Sequence, residues 1–524
     1  METNSNTDDG RQQSRVPVVL LCIAIAYAVA VVIGWPQAGT RLVVAGMEHP
    51  AHVSAHAAGE AVDVGQAIEA PPFWTVLPFV TLLGGIALLP LIPKTAHWWE
   101  SNLNRFKVAG GLALVTVAYY AFLHPAAIEG HWPAQHVATP SGGVNIELVN
   151  AILGNAMLQE FVPFIVLLFS LYTISGGIRI VGDLEARPMT NAAFMAVGGL
   201  LASFIGTTGA AMLLVRPLLE TNRERKHVAH TMVMFIFIVC NCGGCLLPIG
   251  DPPLFLGYLE GVPFLWTLQL WREWLFVNSL LLVAYLAIDG LWYHRREAKA
   301  DIARDVRTTH RLRIAGWQVN APLLLGVVLA VALLDPSKPF PGTDWHPWLY
   351  LREVVQLCLV GVSLWLTSHS IRDANMFTYG AIIEVAALFV GIFICMQPAL
   401  QILSANGAAL GLVTPAHFFW ASGSLSSVLD NAPTYLVFFK AAQSLPRGAE
   451  VAAVAHVDPL ILAAISLGSV FMGAMTYIGN GPNFMVRSIA ESAGVKMPSF
   501  FGYLIYSFGI LLPILAITVW MFLM

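Results

Sequence analysis

Charge is scarce in this chain. Its 524 residues include 27 Lys and Arg and 31 Asp and Glu, 11% in all, while 57% are apolar. An ordinary soluble domain carries roughly 25% charged residues, so a soluble globular protein of this length is excluded. Cysteine is sparse too. Cys22, Cys240, Cys242, Cys245, Cys358 and Cys395 all fall in apolar stretches rather than in loops, which argues against a disulfide framework. No Gly-Lys-Ser/Thr follows the glycines Gly243, Gly244 and Gly250, so no phosphate-binding loop is present. Cys242 and Cys245 have metal-like spacing without a second pair to complete a tetrahedral site; small residues packing a broken helix explain them better. The net charge of −4 says nothing useful about partners, and no nucleic-acid partner is expected.

What fills the chain is apolar runs: Val16 to Trp35, Phe73 to Leu91, Val108 to Leu123, Leu275 to Leu291, Trp348 to Thr367, Ile461 to Ile478 and Leu504 to Met524. Most are long enough to cross a hydrocarbon layer of about 30 Å as a helix. The first 15 residues are polar, and the run from Val16 reads as a retained span rather than a signal peptide.

Basic loops stay cytoplasmic, and this orients the chain. Residues 293–315 form a linker carrying Arg295, Arg296, Lys299, Arg304, Arg307, Arg311 and Arg313. That linker and the tail 1–15, with Arg11 and Arg15, are expected inside, as is the loop with Lys94, Arg105 and Lys107. Segments 125–145 and 252–271 lack Lys and Arg and are expected outside. Arg187 precedes the segment 191–219, and Arg223, Arg225 and Lys226 follow it, so both of its ends lie inside and it must enter the bilayer and turn back. The related segment around Asp430 follows a span running outward and is expected to dip in from the other side. Re-entrant backbone is tolerated only where protein or a water-filled cavity satisfies its peptide groups.

Two elements recur in each half. Ser203-Phe204-Ile205-Gly206-Thr207-Thr208-Gly209-Ala210 corresponds to Ser427-Val428-Leu429-Asp430-Asn431-Ala432-Pro433-Thr434 at an offset of 224, which also links Glu160 to Glu384. Gly244 to Pro253 corresponds to Gly473 to Pro482 at an offset of 229, aligning Gly250-Asp251-Pro252 with Gly479-Asn480-Gly481. Paired helix-breaking segments in two halves of a membrane protein point to a secondary transporter's binding site. The expected architecture is an all-α polytopic membrane protein with about eleven transmembrane helices in two inverted-topology repeats. Scaffold spans occupy 16–145. Repeat 1 (146–292) holds a re-entrant hairpin near 191–222 and a broken helix near 229–258. Repeat 2 (316–524) holds the same pair near 414–445 and 459–492. The alternative for each hairpin is an ordinary helical pair with a surface loop.

Each half contributes one acid to these elements, Asp251 in the first broken helix and Asp430 in the second hairpin. Proline after Asp251 stops or unwinds the helix, freeing carbonyls that suit a hard cation beside the carboxylate. An intramembrane acid is a functional hypothesis by default, relieved by a proton or a bound cation in turn. Neutral ligands would come from Asn431, Asn480, Thr207, Thr208, Ser427, Thr434, Asn241 and Thr476, with Gly206, Gly250, Gly479, Pro252 and Pro482 shaping the breaks. Asp251 and Asp430 would hold transported sodium, and no resident cofactor is expected. Alternatively, Asp251 is a hydrated cap at the end of its span. Glu160 and Glu384 either orient the unwound segments, carry protons, or brace the bundle as buried structural acids. Arg216 either neutralises an acid, contacts an anionic substrate, or snorkels to the surface. His49, His52 and His56 read as a solvated external loop rather than a metal site.

The stretch Gly243-Gly244-Cys245-Leu246-Leu247-Pro248-Ile249-Gly250-Asp251-Pro252-Pro253-Leu254-Phe255-Leu256-Gly257-Tyr258 resembles the ion transporter superfamily, in its branch of sodium/proton antiporters and citrate-transporter-like proteins, from about Phe73 to the C-terminus. The second hairpin tip, Ser426 to Thr434, is similar to the Asp-Asn signature of D-type sodium/proton antiporters, and Gly250-Asp251 matches their broken helix. The first tip departs from it, with Gly206-Thr207 where those antiporters carry Asp-Asn, and neither tip has the Ser-Asn-Thr of the carboxylate carriers. The resemblance implies a homodimer in a cell inner membrane and an elevator-like movement of the transport region against a scaffold. It implies exchange of sodium and protons, or coupled transport of citrate or another carboxylate, rather than an enzyme's turnover.

Overall fold

The computed structural model describes residues 5–48, 69–90, 92–141, 143–297, 310–445 and 453–524. His49, His52, His56 and the stretch 298–309 of the basic linker lie outside them. Helices dominate. Among the described residues, five are long and apolar enough to cross a membrane, or seven if each of two bent pairs is one span; Ala229–Cys245, Trp317–Leu333 and Pro459–Met475 are shorter apolar helices. The first helix starts at Ser5, ahead of the apolar run that begins at Val16.

The chain forms two compact units, which do not coincide with the sequence repeats. One comprises residues 1–174, 319–369 and 376–405, the other 175–318, 370–375 and 406–524. In the first unit, Asn102–Phe122 packs along Gly380–Cys395, and an aromatic cluster holds Phe164 against Phe389 and Phe393 at centroid separations of 4.8 and 5.6 Å. The long helix Ile146–Ser175 widens into a π-helical stretch at Gly154–Phe161, and the carbonyl of Leu158 accepts from the Tyr350 hydroxyl at 2.9 Å. Such a bulge releases carbonyls from the i→i−4 ladder to other donors.

The second unit contains two hairpins and two broken helices. The first hairpin has an entering arm Pro188–Ile205 and a returning arm Thr207–Thr221, separated by Gly206 alone. Gly206 has φ +80°, a conformation that glycine adopts without steric cost. The arms fold back on each other: a Cβ at Gly198 would lie 2.8 Å from Leu214, each eight residues from the tip. The second hairpin has an entering arm Pro415–Ser426 and a returning arm Asn431–Gln443. The first broken helix runs as a near arm Ala229–Ile238, a 3₁₀ turn Cys242–Cys245 and a far arm Pro252–Leu259. The second runs as Pro459–Met472, Gly473–Met475 and Gly481–Ser492.

The arms pair crosswise. The far arm Pro252–Leu259 packs along the returning arm Asn431–Gln443, and the far arm Gly481–Ser492 along Thr207–Thr221. The first pair keeps a constant register. Asn431 bonds Asp251 at one end and Lys440 pairs with Glu260 at the other, both 180 positions apart. With a rise of 1.5 Å per residue, the two contacts stand roughly 14 Å apart along the helices.

Two short antiparallel sheets were not expected from an all-helical pattern. Ile128–Gly130 pairs with His136–Ala138, and Arg179–Asp183 with His310–Ala315, so the linker's final residues are built into the second unit.

The Lys440–Glu260 pair is largely buried, with side-chain exposures of 15% and 12%. Removing one partner strands the other charge, so Glu260→Gln should destabilise the protein by about 3 kcal/mol, read as a lower thermal unfolding midpoint in detergent. The charge-swapped Glu260→Lys/Lys440→Glu variant should recover part of that loss.

Candidate functional site

Four helices begin at one place in the second unit. Their N-cap residues are Gly206, Asp251, Asp430 and Asn480, one from each hairpin and one from each broken helix. The breaks are enforced locally. Pro252 and Pro482 stand at the first or second position of their arms, where a missing N–H costs nothing. A Cβ at Gly250 would meet the Gly244 carbonyl oxygen and come within 2.9 Å of the Ser203 Cα; one at Gly479 would come within 2.6 Å of the Gly473 oxygen and 2.7 Å of the Ser426 oxygen. Only glycine lets each unwound segment press against its hairpin tip. Thr207 N donates to the Gly250 carbonyl at 2.9 Å and closes that contact.

Asp251 is 1% exposed. Its Oδ1 accepts from Thr207 Oγ1 at 2.9 Å and Asn480 Nδ2 at 3.2 Å, and its Oδ2 from Asn431 Nδ2 at 2.6 Å. Among the described residues these partners are all neutral. Thr207 and Asn431 are repeat-related, as are Asp251 and Asn480, so one acid gathers side chains from all four breaks or the residue beside them. Asp430, only partly buried, caps its own arm by accepting from Ala432 N at 3.3 Å. It lies near enough to Asp251 for the two carboxylates to repel.

Asn431 is the informative neighbour. Its Nδ2 must face Asp251 to donate, which turns Oδ1 the other way. That oxygen is buried and has no hydrogen-bond donor among the described residues. Buried polar atoms are nearly always paired, so a buried amide oxygen without a donor, beside Asp251, could coordinate a cation. Asn480 is over-subscribed instead. Its Nδ2 lies 3.0 Å from the Cys240 carbonyl, 3.2 Å from Asn241 Oδ1 and 3.2 Å from Asp251, three acceptors for two hydrogens.

An amide chain continues inward. Asn241 Nδ2 donates to Asn483 Oδ1 at 2.8 Å, and Asn483 Nδ2 donates to the carbonyls of Gly473 and Thr476 at 2.9 and 3.0 Å. Sequence reading missed Asn483. Its repeat mate at offset 229 is Leu254, so internal symmetry gave no signal; its place one helical turn after Asn480 did.

The remaining candidates divide. Thr476 Oγ1 donates to the Ser427 carbonyl at 2.5 Å, and Thr434 Oγ1 to the Asp430 carbonyl at 3.0 Å, so both brace the second tip. Ser427 turns its hydroxyl back to Ser424 O at 2.7 Å. No hydrogen bond among the described residues joins Thr208 to either acid. Glu160 and Glu384 belong to the first unit; Glu384 pairs with Arg105 at 2.9 Å, and Glu160 is buried in the π-helical stretch. Cys242 and Cys245 are buried free thiols. No group of three or more His, Cys, Asp or Glu that could hold a metal ion occurs among the described residues. The oxygen-only set at Asp251, Asp430 and Asn431 suits a hard cation.

Long apolar helices, with two shorter ones broken around a buried acid, define a polytopic membrane protein. Residues 68–523 match the model of a family described as "Putative citrate transport". The chain belongs to that family and is a transporter of the citrate-transport type. No curated protein matches it.

Thr207→Val removes the hydroxyl at nearly constant shape and leaves Asp251 Oδ1 short of one donor. A buried acceptor so deprived costs about 1–3 kcal/mol, and the drop should appear as a lower unfolding midpoint in detergent at neutral pH.

Proposed function

We propose that the protein is a secondary active transporter that exchanges sodium for protons at Asp251 and Asp430. The observation that carries this reading is the unpartnered Asn431 oxygen beside Asp251, whose own partners are all neutral. Two acids with no cationic side chain bonded to Asp251 make a site that is relieved by a proton or by a sodium ion. The two occupants exclude each other, so sodium binding weakens as the proton concentration rises. Asp430, the Asn431 oxygen and carbonyls of the unwound segments complete an oxygen shell. Asn480 holds Asp251 in the proton-free state and can give up that bond, because two other acceptors compete for its hydrogens.

Sodium- or proton-coupled transport of citrate or another carboxylate is the second reading. The family description favours it, and so does the meeting of four helix N-termini, whose free N–H groups and dipoles attract anions. On that reading Asp251 and Asp430 bind the coupling cation first.

Both hairpins and both broken helices fall in one compact unit, which supports an elevator-like exchange between the two sides of the membrane. On this proposal the multi-pass chain works in a cell inner membrane as a homodimer, with its N-terminus cytoplasmic and its C-terminus external; the family resemblance and the placement of basic residues support that reading.

In sealed proteoliposomes with an acidic lumen, external sodium or lithium should alkalinise the lumen rapidly. Asp430→Asn should reduce that rate at least about a hundredfold, the scale of losing a group that acts in every cycle, with expression unchanged. Sodium-dependent uptake of labelled citrate without a response to sodium alone would replace antiport by the second reading. A membrane-impermeant thiol reagent should label a cysteine added after Met524 in intact cells; protection from it would reverse the orientation.

A further inference from the structure

The strand pair of the second unit carries arginines that form no ion pair among the described residues. Its register sets Arg179 opposite Ala315, Ile180 opposite Ile314 and Val181 opposite Arg313. Directly opposed residues share a face and neighbours alternate, so Arg179, Val181 and Arg313 lie on one face and Ile180 and Ile314 on the other. Asp183 lies beyond an irregularity, opposite His310. The strand Arg179–Asp183 packs against the returning arm Thr207–Thr221. That arm brings Arg216 near enough to Arg179 for their charges to repel. None of Arg179, Arg216 and Arg313 makes an ion pair among the described residues, and the first two are partly buried.

Internal symmetry sharpens the anomaly. Arg216 is the repeat mate of Lys440 at the hairpin offset of 224. Lys440 is neutralised by Glu260, whereas the position related to Glu260 by the broken-helix offset of 229 is Ile489. The pair of Pro252–Leu259 with Asn431–Gln443 is closed by an internal ion pair, and the pair of Gly481–Ser492 with Thr207–Thr221 leaves Arg216 without one among the described residues.

The geometry points to a binding site for the phosphate headgroup of an anionic phospholipid, held by Arg179, Arg216 and Arg313. Guanidinium groups match phosphate oxygens in fork geometry, and an anion removes the repulsion between Arg179 and Arg216. The surroundings select a lipid over a soluble anion. Leu312, Ile314 and Trp317, along the same strand and just beyond it, are 41%, 50% and 50% exposed, with Ile314 on the face opposite the arginines, and tryptophan settles at the membrane interface. The basic linker puts this strand pair on the cytoplasmic side, where anionic lipids attract Lys and Arg clusters. The site stands independently of which ion or carboxylate is transported.

Native mass spectrometry of the full-length protein, titrated in detergent with phosphatidylglycerol or phosphatidylcholine, tests this. Phosphatidylglycerol should bind in preference, and Arg179→Gln/Arg216→Gln should weaken it about thirtyfold. Arg179→Lys/Arg216→Lys should keep most of the binding and serves as the folded control. Arg223→Gln, at an exposed cation already paired with Glu220, should change nothing. Equal retention of phosphatidylglycerol by the double glutamine variant overturns the site. Binding of inorganic phosphate or citrate as tight as that of phosphatidylglycerol, lost in the same variant, overturns the assignment to lipid.

Discussion

The rest of the second unit depends on keeping one carboxylate, Asp251, away from water without a cationic partner. An ionised acid in an apolar interior is costly unless several donors surround it. The protein meets this with three neutral donors from three separate helix breaks, and with the N-terminal ends of four helices, which favour negative charge. Regular helices could not supply such an environment, because their N–H and C=O groups are already bonded to each other. Each break in the chain is therefore a requirement of the acid it surrounds. The glycines and prolines at the breaks are what make the approach of backbone to backbone possible.

This arrangement also couples the two halves of the sequence. The far arm after Asp251 lies along the arm after Asp430, and the far arm after Asn480 lies along the arm after Gly206. A movement of Asp251 thus acts on both hairpins at once, since Thr207 and Asn431 belong to different ones. The Asn241–Asn483 bond ties the break of the first broken helix to the far arm of the second in the same way.

Much of this was legible in the residues. Asp251 before two prolines, Asp430 after Ser426-Ser427, and constant offsets of 224 and 229 located the breaks, because helix termination is a local property of Pro and Gly. The neutral ligands were harder to separate. Asn431, Asn480 and Thr207 meet Asp251, whereas Ser427 and Thr434 serve their own backbone and Thr208 meets neither acid. All six stand at or beside a break, and only side-chain direction distinguishes them. Asn483 went unnoticed because it has no repeat mate. Glu160 and Glu384 share the hairpin offset with residues of the site, yet they fall in the other compact unit, where Glu384 is held by Arg105.

The sequence by itself determined the membrane class, the repeated pattern of two halves and the positions where helices stop, since these follow from local hydrophobicity and backbone chemistry. Tertiary structure alone decided which amide reaches which carboxylate, that the arms pair crosswise, and that Arg216 stays without the acid that its mate Lys440 possesses. Those are contacts between residues about 40 to 240 positions apart, and their geometry depends on how whole helices pack rather than on any neighbouring residue.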